Sequence, residues 1–269
     1  MKIKTRIQTK LKKVIKKYFN KTPIVELPVH CPVCRNDVSH FDRLSDYYLM
    51  EFDKYQYVHS IFRAETLNLF SYSCPICCAS DRDRLYALYL EQRFANMIKM
   101  GDSYQFLDIA PAVHLKKFIK SFPFIKYRSM DLYMEDVDDK MDITNMDLYE
   151  SNMFDIILCS HVLEHIQEDK KAISEIYRVL KPNGFAIIMV PIILELESDL
   201  ENPKWTSVED RWRYYGQDDH VRIYSKPGFV NKLNDAGFKL QQLGVDYFGA
   251  DVFSKNGIHH RSVLYVVEK

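Results

Sequence analysis

Three groups of residues in this 269-residue chain have types and spacings suited to chemistry. The first is a pair of knuckles, Cys31-Pro32-Val33-Cys34 and Cys74-Pro75-Ile76-Cys77, separated by 39 residues. Four thiolates in two such pairs can close a tetrahedron around Zn²⁺, the usual structural use of this spacing. A redox reading is weaker, because a thioredoxin-type motif needs only one knuckle and sits in a βαβ context not seen here. Residues 35–73 must then fold as an insertion. Cys78 reads as a spare thiol beside the site, and Cys159, inside an apolar run, as a small buried hydrophobe.

The second group lies in the segment Trp205 to Tyr224, where Asp218, Asp219 and His220 adjoin Arg211, Arg213 and Arg222. An imidazole titrating near neutrality accepts a proton well when a carboxylate orients it, which makes His220 a candidate base with Asp219 as its partner. The arginines suit a phosphate or carboxylate, and Trp205, Trp212, Tyr214 and Tyr215 suit either a sugar face or ordinary packing. The third group, His161-Val162-Leu163-Glu164-His165, spells H-x-x-E-H, the signature of inverted zinc peptidases. It directly follows the apolar run FDIILC at 154–159, a context that argues against a peptidase and leaves His165 a structural or capping role.

The elements that would position these groups read from residue 81 onward. Asp81 begins a helix with Leu85, Leu88, Tyr89 and Phe94 on one face. Strands are expected at Gln105–Ile109, Lys126–Asp131, Phe154–Cys159 and Phe185–Val190, with helices at Val113–Phe122 and Asp169–Leu180. Strands alternating with crossover helices imply a parallel, doubly wound α/β sheet that binds its ligand at the strands' carboxyl ends. Acids sit there: Asp108 near the end of the first strand, Asp131 at the end of the second, and Asp142 in the short segment Lys140 to Ile143. A carboxylate closing the second strand can accept both hydroxyls of a ribose, so the ordered set of acids suggests a nucleotide-like site, although a lone strand-end Asp is more often a helix cap or turn residue.

The motifs FLDIAPA at 106–112, SMDL at 129–132, MDIT at 141–144, FDIILCSHVLEHI at 154–166 and AISEIYRVLKPNGFAIIMVP at 172–191 resemble class I S-adenosylmethionine-dependent methyltransferases of types 11 and 12. The chain is similar in particular to a subgroup with a Cys-Pro-x-Cys zinc module before an Arg-rich helix and a distal segment like YYGQDDHVRIYS, here 214–225, associated with surface-glycan modification. The resemblance implies a seven-stranded Rossmann-like sheet whose last strands, Lys239–Val245 and Arg261–Glu268, form an antiparallel edge. It implies S-adenosylmethionine as cofactor, with Asp108, Ala110 and Ala112 in the turn facing its methionine part. Asp131 and Leu132 would lie at the ribose, Asp142 and Ile143 at the adenine, and Ser160 and His161 along the methyl-transfer channel. The turn departs from the family's pattern, since alanines stand at 110 and 112 where glycines are usual.

Composition bounds the rest. Hydrophobic residues make up 47% and charged residues 28%, a globular balance with no apolar run long enough to span a membrane. Residues 1–25 hold nine basic side chains and no acid, so residues 26–269 carry 28 basic against 37 acidic residues, net −9. An acidic body disfavours a nucleic-acid substrate. The expected organisation is a basic amphipathic helix over 1–22, a zinc-binding module over 23–80 with structural zinc on Cys31, Cys34, Cys74 and Cys77, and a methyltransferase domain over 81–269. The N-terminal segment lacks the apolar core of a secretory signal, which points to the cytosol, and its lysine-flanked stripe suits peripheral contact with an anionic inner membrane face. The expected activity is O-methylation of a sugar, nucleotide-sugar or lipid-linked glycan in surface polysaccharide synthesis. Two alternatives are an RNA base methyltransferase that grips its substrate with the zinc module and a non-catalytic scaffold of the same fold.

Overall fold

The computed structural model describes residues 28–98 and 102–269; the basic segment 1–22 lies outside them. Two short antiparallel strands, β1 (Val29–Cys31) and β2 (Asn36–Val38), carry the first cysteine knuckle. Helix α1 (Asp46–Lys54) follows, and then α2 (Asp81–Met97). The start of α2 is set by a capping box: the Ser80 hydroxyl accepts from the Asp83 amide, and the Asp83 carboxylate accepts from the Ser80 amide at 2.8 Å. Leu85, Tyr86, Tyr89, Leu90 and Phe94 of this helix are buried.

Strands β3 (Tyr104–Ile109), β4 (Ile125–Asp131), β5 (Asp139–Lys140), β6 (Phe154–Ser160) and β7 (Leu180–Met189) run parallel, with helices α3 (Val113–Lys120) and α4 (Asp169–Val179) in the connections. Beyond β7 come α5 (Val208–Tyr215), α6 (Lys226–Asp235), β8 (Lys239–Leu243), the short α7 (Val245–Phe248) and α8 (Ala250–Lys255), and β9 (Leu264–Glu268). The sheet order is β5-β4-β3-β6-β7-β9-β8, seven strands as expected. The antiparallel edge is narrower than expected, because β9 alone opposes its neighbours and β8 regains the direction of the parallel strands. A second difference lies at the end of α4, where Leu180 already pairs with Phe154 and the strand starts before the expected loop. A register shift absorbs Asn183, at φ 65°, and Gly184, where a side chain would meet the carbonyls of Asp155 and Lys181 at 2.9 Å.

The cysteine-bearing segment is welded to this sheet. Arg84 of α2 is wholly buried and donates to the carbonyls of Tyr72, Ala79, Asn256 and Gly257, tying the second knuckle to the C-terminal segment. Cys31, Cys74 and Phe41 belong to the same hydrophobic core as the strands.

Candidate functional site

The strand order reverses between β3 and β6, and a cleft of about 600 Å³ lies at their carboxyl ends. Of the residues expected at a cofactor, Ala110, Asp131, Leu132, Asp142, Ile143 and His161 line it. Asp108, Ala112 and Ser160 do not. Asp108 is buried beneath the turn and accepts from the Tyr127 hydroxyl at 2.8 Å; burial pushes its carboxyl up to about 7. Ser160 shares its hydroxyl with that of Tyr86 at 2.9 Å. Ala112 caps α3 with ordinary extended backbone, so the missing glycine there carries no strain.

At position 110 the departure has a physical consequence. Ala110 adopts φ 55°, and across the switch point His161 also adopts φ 55°. Both are held there by backbone bonds, from the Ala110 amide to the Met130 carbonyl at 2.9 Å and from the His161 amide to the Met189 carbonyl at 2.8 Å. Left-handed backbone at a residue with a Cβ costs on the order of 1 kcal/mol and clusters at functional sites. The acids at the strand ends are half committed to their own loops. Oδ1 of Asp131 accepts the amides of Tyr133 and Met134 at 2.7 Å each, and Oδ1 of Asp142 accepts that of Thr144 at 2.7 Å. No hydrogen bond to Oδ2 of Asp131 is present among the described residues, and Asp131 lines the cleft.

A second cavity, of about 330 Å³, adjoins the first, and His161 and His165 line both. Its walls come from four distant segments: Tyr48, Phe52 and Tyr57 of the insertion, Arg82 of α2, the Pro191–Ile193 stretch after β7, and Tyr215, Gly216, Gln217 and His220 of the distal cap. Gly216 ends α5 at φ 86°, and a Cβ there would lie 3.2 Å from the Tyr57 ring, so glycine lets cap and insertion close on each other. Glu65, nearly fully buried, ties the insertion to the sheet by accepting from Tyr265 at 2.7 Å and from Lys226 at 2.9 Å.

The cap's expected roles change. Asp219 does not orient His220: its Oδ2 lies 3.3 Å from Nδ1 of His165, whereas Nδ1 of His220 donates to the Tyr215 carbonyl at 3.2 Å. Burial holds the His220 imidazole below its usual range. Arg222 is not open to an acceptor either, since it is buried and donates to the carbonyls of Leu163, Ile166 and Gln167 and to Glu201. It clamps the loop that carries Glu164 and His165. Arg211 bonds the Asp218 carbonyl, and Arg213 lies beside the Tyr214 ring. The tryptophan faces are taken by protein: Trp205 stacks on Tyr214 at 3.6 Å, and Trp212 on Tyr55 at 5.9 Å. The arginine that lines the second cavity is instead Arg82, and most of its aromatic lining comes from the insertion, with Tyr215 from the cap.

The four knuckle cysteines converge, with Sγ atoms 3.7 Å apart for Cys31 and Cys77 and 3.8 Å for Cys34 and Cys74. Tetrahedral Zn²⁺ with bonds of about 2.3 Å spaces its sulfurs by about 3.8 Å, so this donor set fits the ion. The two knuckles repeat one turn: Arg35 and Cys78, each just past its second cysteine, take φ 59° and 63°, and their amides bond the carbonyls of Cys31 and Cys74. Cys78 thus serves the knuckle with its backbone and leaves its thiol exposed, while Cys159 is fully buried in β6. Burial pushes the Cys31 thiol up to about 12 and raises that of Cys77, whereas Asn36 holds Cys34 below the usual thiol range despite its burial. Four facing thiolates need a cation to offset that cost.

The Methyltransferase domain family matches residues 85–188. No curated protein matches the sequence. Solved structures similar to it include the CurJ carbon methyltransferase, 13% identical at TM-score 0.44 over 67% of this chain and 53% of that one. Another is an S-adenosylmethionine-dependent methyltransferase from Archaeoglobus fulgidus, 15% identical at TM-score 0.43 over 82% and 98%. A third is phosphoethanolamine N-methyltransferase 2 of Haemonchus contortus, 16% identical at TM-score 0.42 over 66% and 52%. The chain spans about half the length of the first and third. Residues 85–188 thus match a methyltransferase domain and lie on an α/β sheet. Among the described residues, no helix is long and apolar enough to cross a membrane.

Proposed function

We propose that the protein transfers a methyl group from S-adenosylmethionine to a hydroxyl of a sugar or glycan intermediate of surface polysaccharide synthesis, and that structural zinc on Cys31, Cys34, Cys74 and Cys77 holds the acceptor wall in place. The observation that carries this reading is the meeting of two cavities at His161 and His165, one at the switch point and one walled by the insertion and cap. S-adenosylmethionine, when bound, supplies a methyl group already activated on a sulfonium, so positioning provides most of the rate.

The chain's own residues then have defined tasks. Asp131 receives the ribose, and the Asp142–Ile143 loop receives the adenine at the far end of the cleft. Arg82, with Tyr48 and Tyr57, offers the acceptor a charge and hydroxyls against an apolar wall of Phe52, Ile61 and Ile193, a mix suited to an amphipathic sugar conjugate. The acceptor hydroxyl must lose its proton as the new bond forms, and His220 faces that side with Nε2 because Nδ1 is engaged at Tyr215. The RNA reading is less well supported, since the cysteine segment is packed into the shared core and lines the pocket rather than presenting a basic face.

Calorimetric titration of S-adenosylhomocysteine tests the donor half without knowledge of the acceptor. Stoichiometric binding by wild type, weakened at least tenfold in Asp131→Ala, is expected. Absence of binding to folded wild-type protein would overturn the reading in favour of a scaffold.

A further inference from the structure

The H-x-x-E-H segment does not form the helix that a zinc peptidase needs, because His161 follows β6 in left-handed backbone and Leu163–His165 is a single 3-10 turn. It nevertheless takes part in a cluster that the motif does not describe. Glu164, His165 and His220 place one donor atom each within 4.8 Å of one another. We propose that these three side chains bind a divalent first-row cation whose open positions face the acceptor pocket and take an acceptor hydroxyl oxygen. The proposal deepens the methyl-transfer reading and rests on it for the identity of that oxygen.

Three observations carry it. Glu164 has no exposed surface; the one side-chain donor beside its carboxylate is Nδ1 of His161, 3.2 Å from Oε1 in poor hydrogen-bond geometry, and Oε2 accepts no hydrogen bond among the described residues. A buried carboxylate left without donors is costly unless a cation completes it. Both imidazoles of the cluster also have their Nδ1 edge turned to an oxygen, His220 to the Tyr215 carbonyl and His165 to Asp219. That is the outer-shell pattern that fixes a ligating histidine with Nε2 toward the metal. Finally, two imidazoles and one carboxylate form a common catalytic donor set for Zn²⁺, Fe²⁺ and related ions. Bonds of about 2.1 Å would space such donors roughly 3 to 4 Å apart, so separations of up to 4.8 Å need close by no more than about 1 to 2 Å.

With a cation bound, His220 would be a ligand rather than a free base; a coordinated hydroxyl would ionise more easily, its proton passing to solvent water as the O–CH3 bond forms, the S–CH3 bond breaks and S-adenosylhomocysteine leaves. Arg222 and Asp219 are positioning residues in this arrangement, the first holding the 163–167 loop and the second the His165 ring.

The test is Mn²⁺ titration of the whole protein, dialysed against a mild chelator and shown folded by circular dichroism, with free Mn²⁺ read by electron paramagnetic resonance. Mn²⁺ suits this probe because thiolate sites prefer softer ions, so the knuckles do not compete. One bound Mn²⁺ per chain is expected, with affinity lowered at least tenfold in Glu164→Gln and in His165→Asn, and about tenfold in Asp219→Asn. No Mn²⁺ binding by wild type, or binding unchanged in both Glu164→Gln and His165→Asn, overturns the site. S-adenosylhomocysteine titrated into the same samples separates the two readings: Mn²⁺ binding without nucleoside binding would sink the methyltransferase function and keep the metal site, and the converse would sink only the metal site.

Discussion

The switch-point cleft and the pocket proposed for the acceptor share a wall at His161 and His165 but are built in opposite ways. The cleft is lined mostly by loops that follow β3, β4, β5 and β6 in chain order, each placed by its strand. The pocket joins residues 44–72, Arg82, 190–193 and 215–223, segments with no common element. The sheet thus shapes the cleft through topology, while the second pocket is shaped by an insertion that must itself be anchored. The anchors are visible: the four-cysteine cluster at one end of the insertion, Glu65 on Lys226 and Tyr265, and Phe52 and Tyr55 against Trp212 of the cap.

The comparison breaks most visibly if the two regions cannot be separated. Cys74→Ser removes one ligand from the cluster; we expect zinc content to fall from one per chain toward none and stability to drop by several kcal/mol, because structural zinc binding is folding free energy. Elemental analysis and thermal unfolding read both effects. S-adenosylhomocysteine affinity should change little in the protein that remains folded, and a parallel loss would show that the cleft depends on the module.

Asp108 sharpens the cleft side. Its folded-state carboxyl is raised to about 7 from an ordinary 3.8, so the native state holds more protons than the unfolded chain between those values. The contribution of this group to stability is therefore full at low pH and lost as pH rises from about 4 to about 7. Asp108→Asn, which can still accept from Tyr127, should exceed wild type by on the order of 2 kcal/mol at pH 8 and lose that advantage toward pH 4, measured by thermal midpoint. A constant difference across that range would mean that burial does not perturb the carboxyl.

The smallest effect concerns the turn. Ala110→Gly relieves left-handed backbone at the price of a freer unfolded chain, so net stability should rise by no more than about 1 kcal/mol. Donor affinity should rise modestly, since glycine permits closer backbone approach. Weaker S-adenosylhomocysteine binding in this variant would mean that the Ala110 methyl is itself a contact.

Much of the cleft was legible because strand periodicity and acids at strand ends are local features: β3, β4, β6 and β7 and the positions of Asp131 and Asp142 all follow from runs of fewer than ten residues. The cap was harder. His220 stands out by residue type, but adjacency in sequence points to Asp219 as its partner, whereas the fold turns Asp219 to His165 and the His220 Nδ1 edge to a backbone carbonyl. The arginines and tryptophans of the same segment look like ligand-binding groups in sequence, yet Arg222 is used up on carbonyls and both indoles on neighbouring rings.

The sequence by itself determined the pattern of alternating elements, the acid series of the cleft and the two Cys-Pro-x-Cys knuckles, because each depends on spacing within one short stretch. Tertiary structure alone decided that Tyr48, Phe52 and Tyr57 line the second pocket, and that Glu164 and His165 meet His220 from 55 residues away. The physical reason is that donor geometry and burial are properties of side chains brought together across the fold, and no local period encodes which distant segment supplies the missing partner.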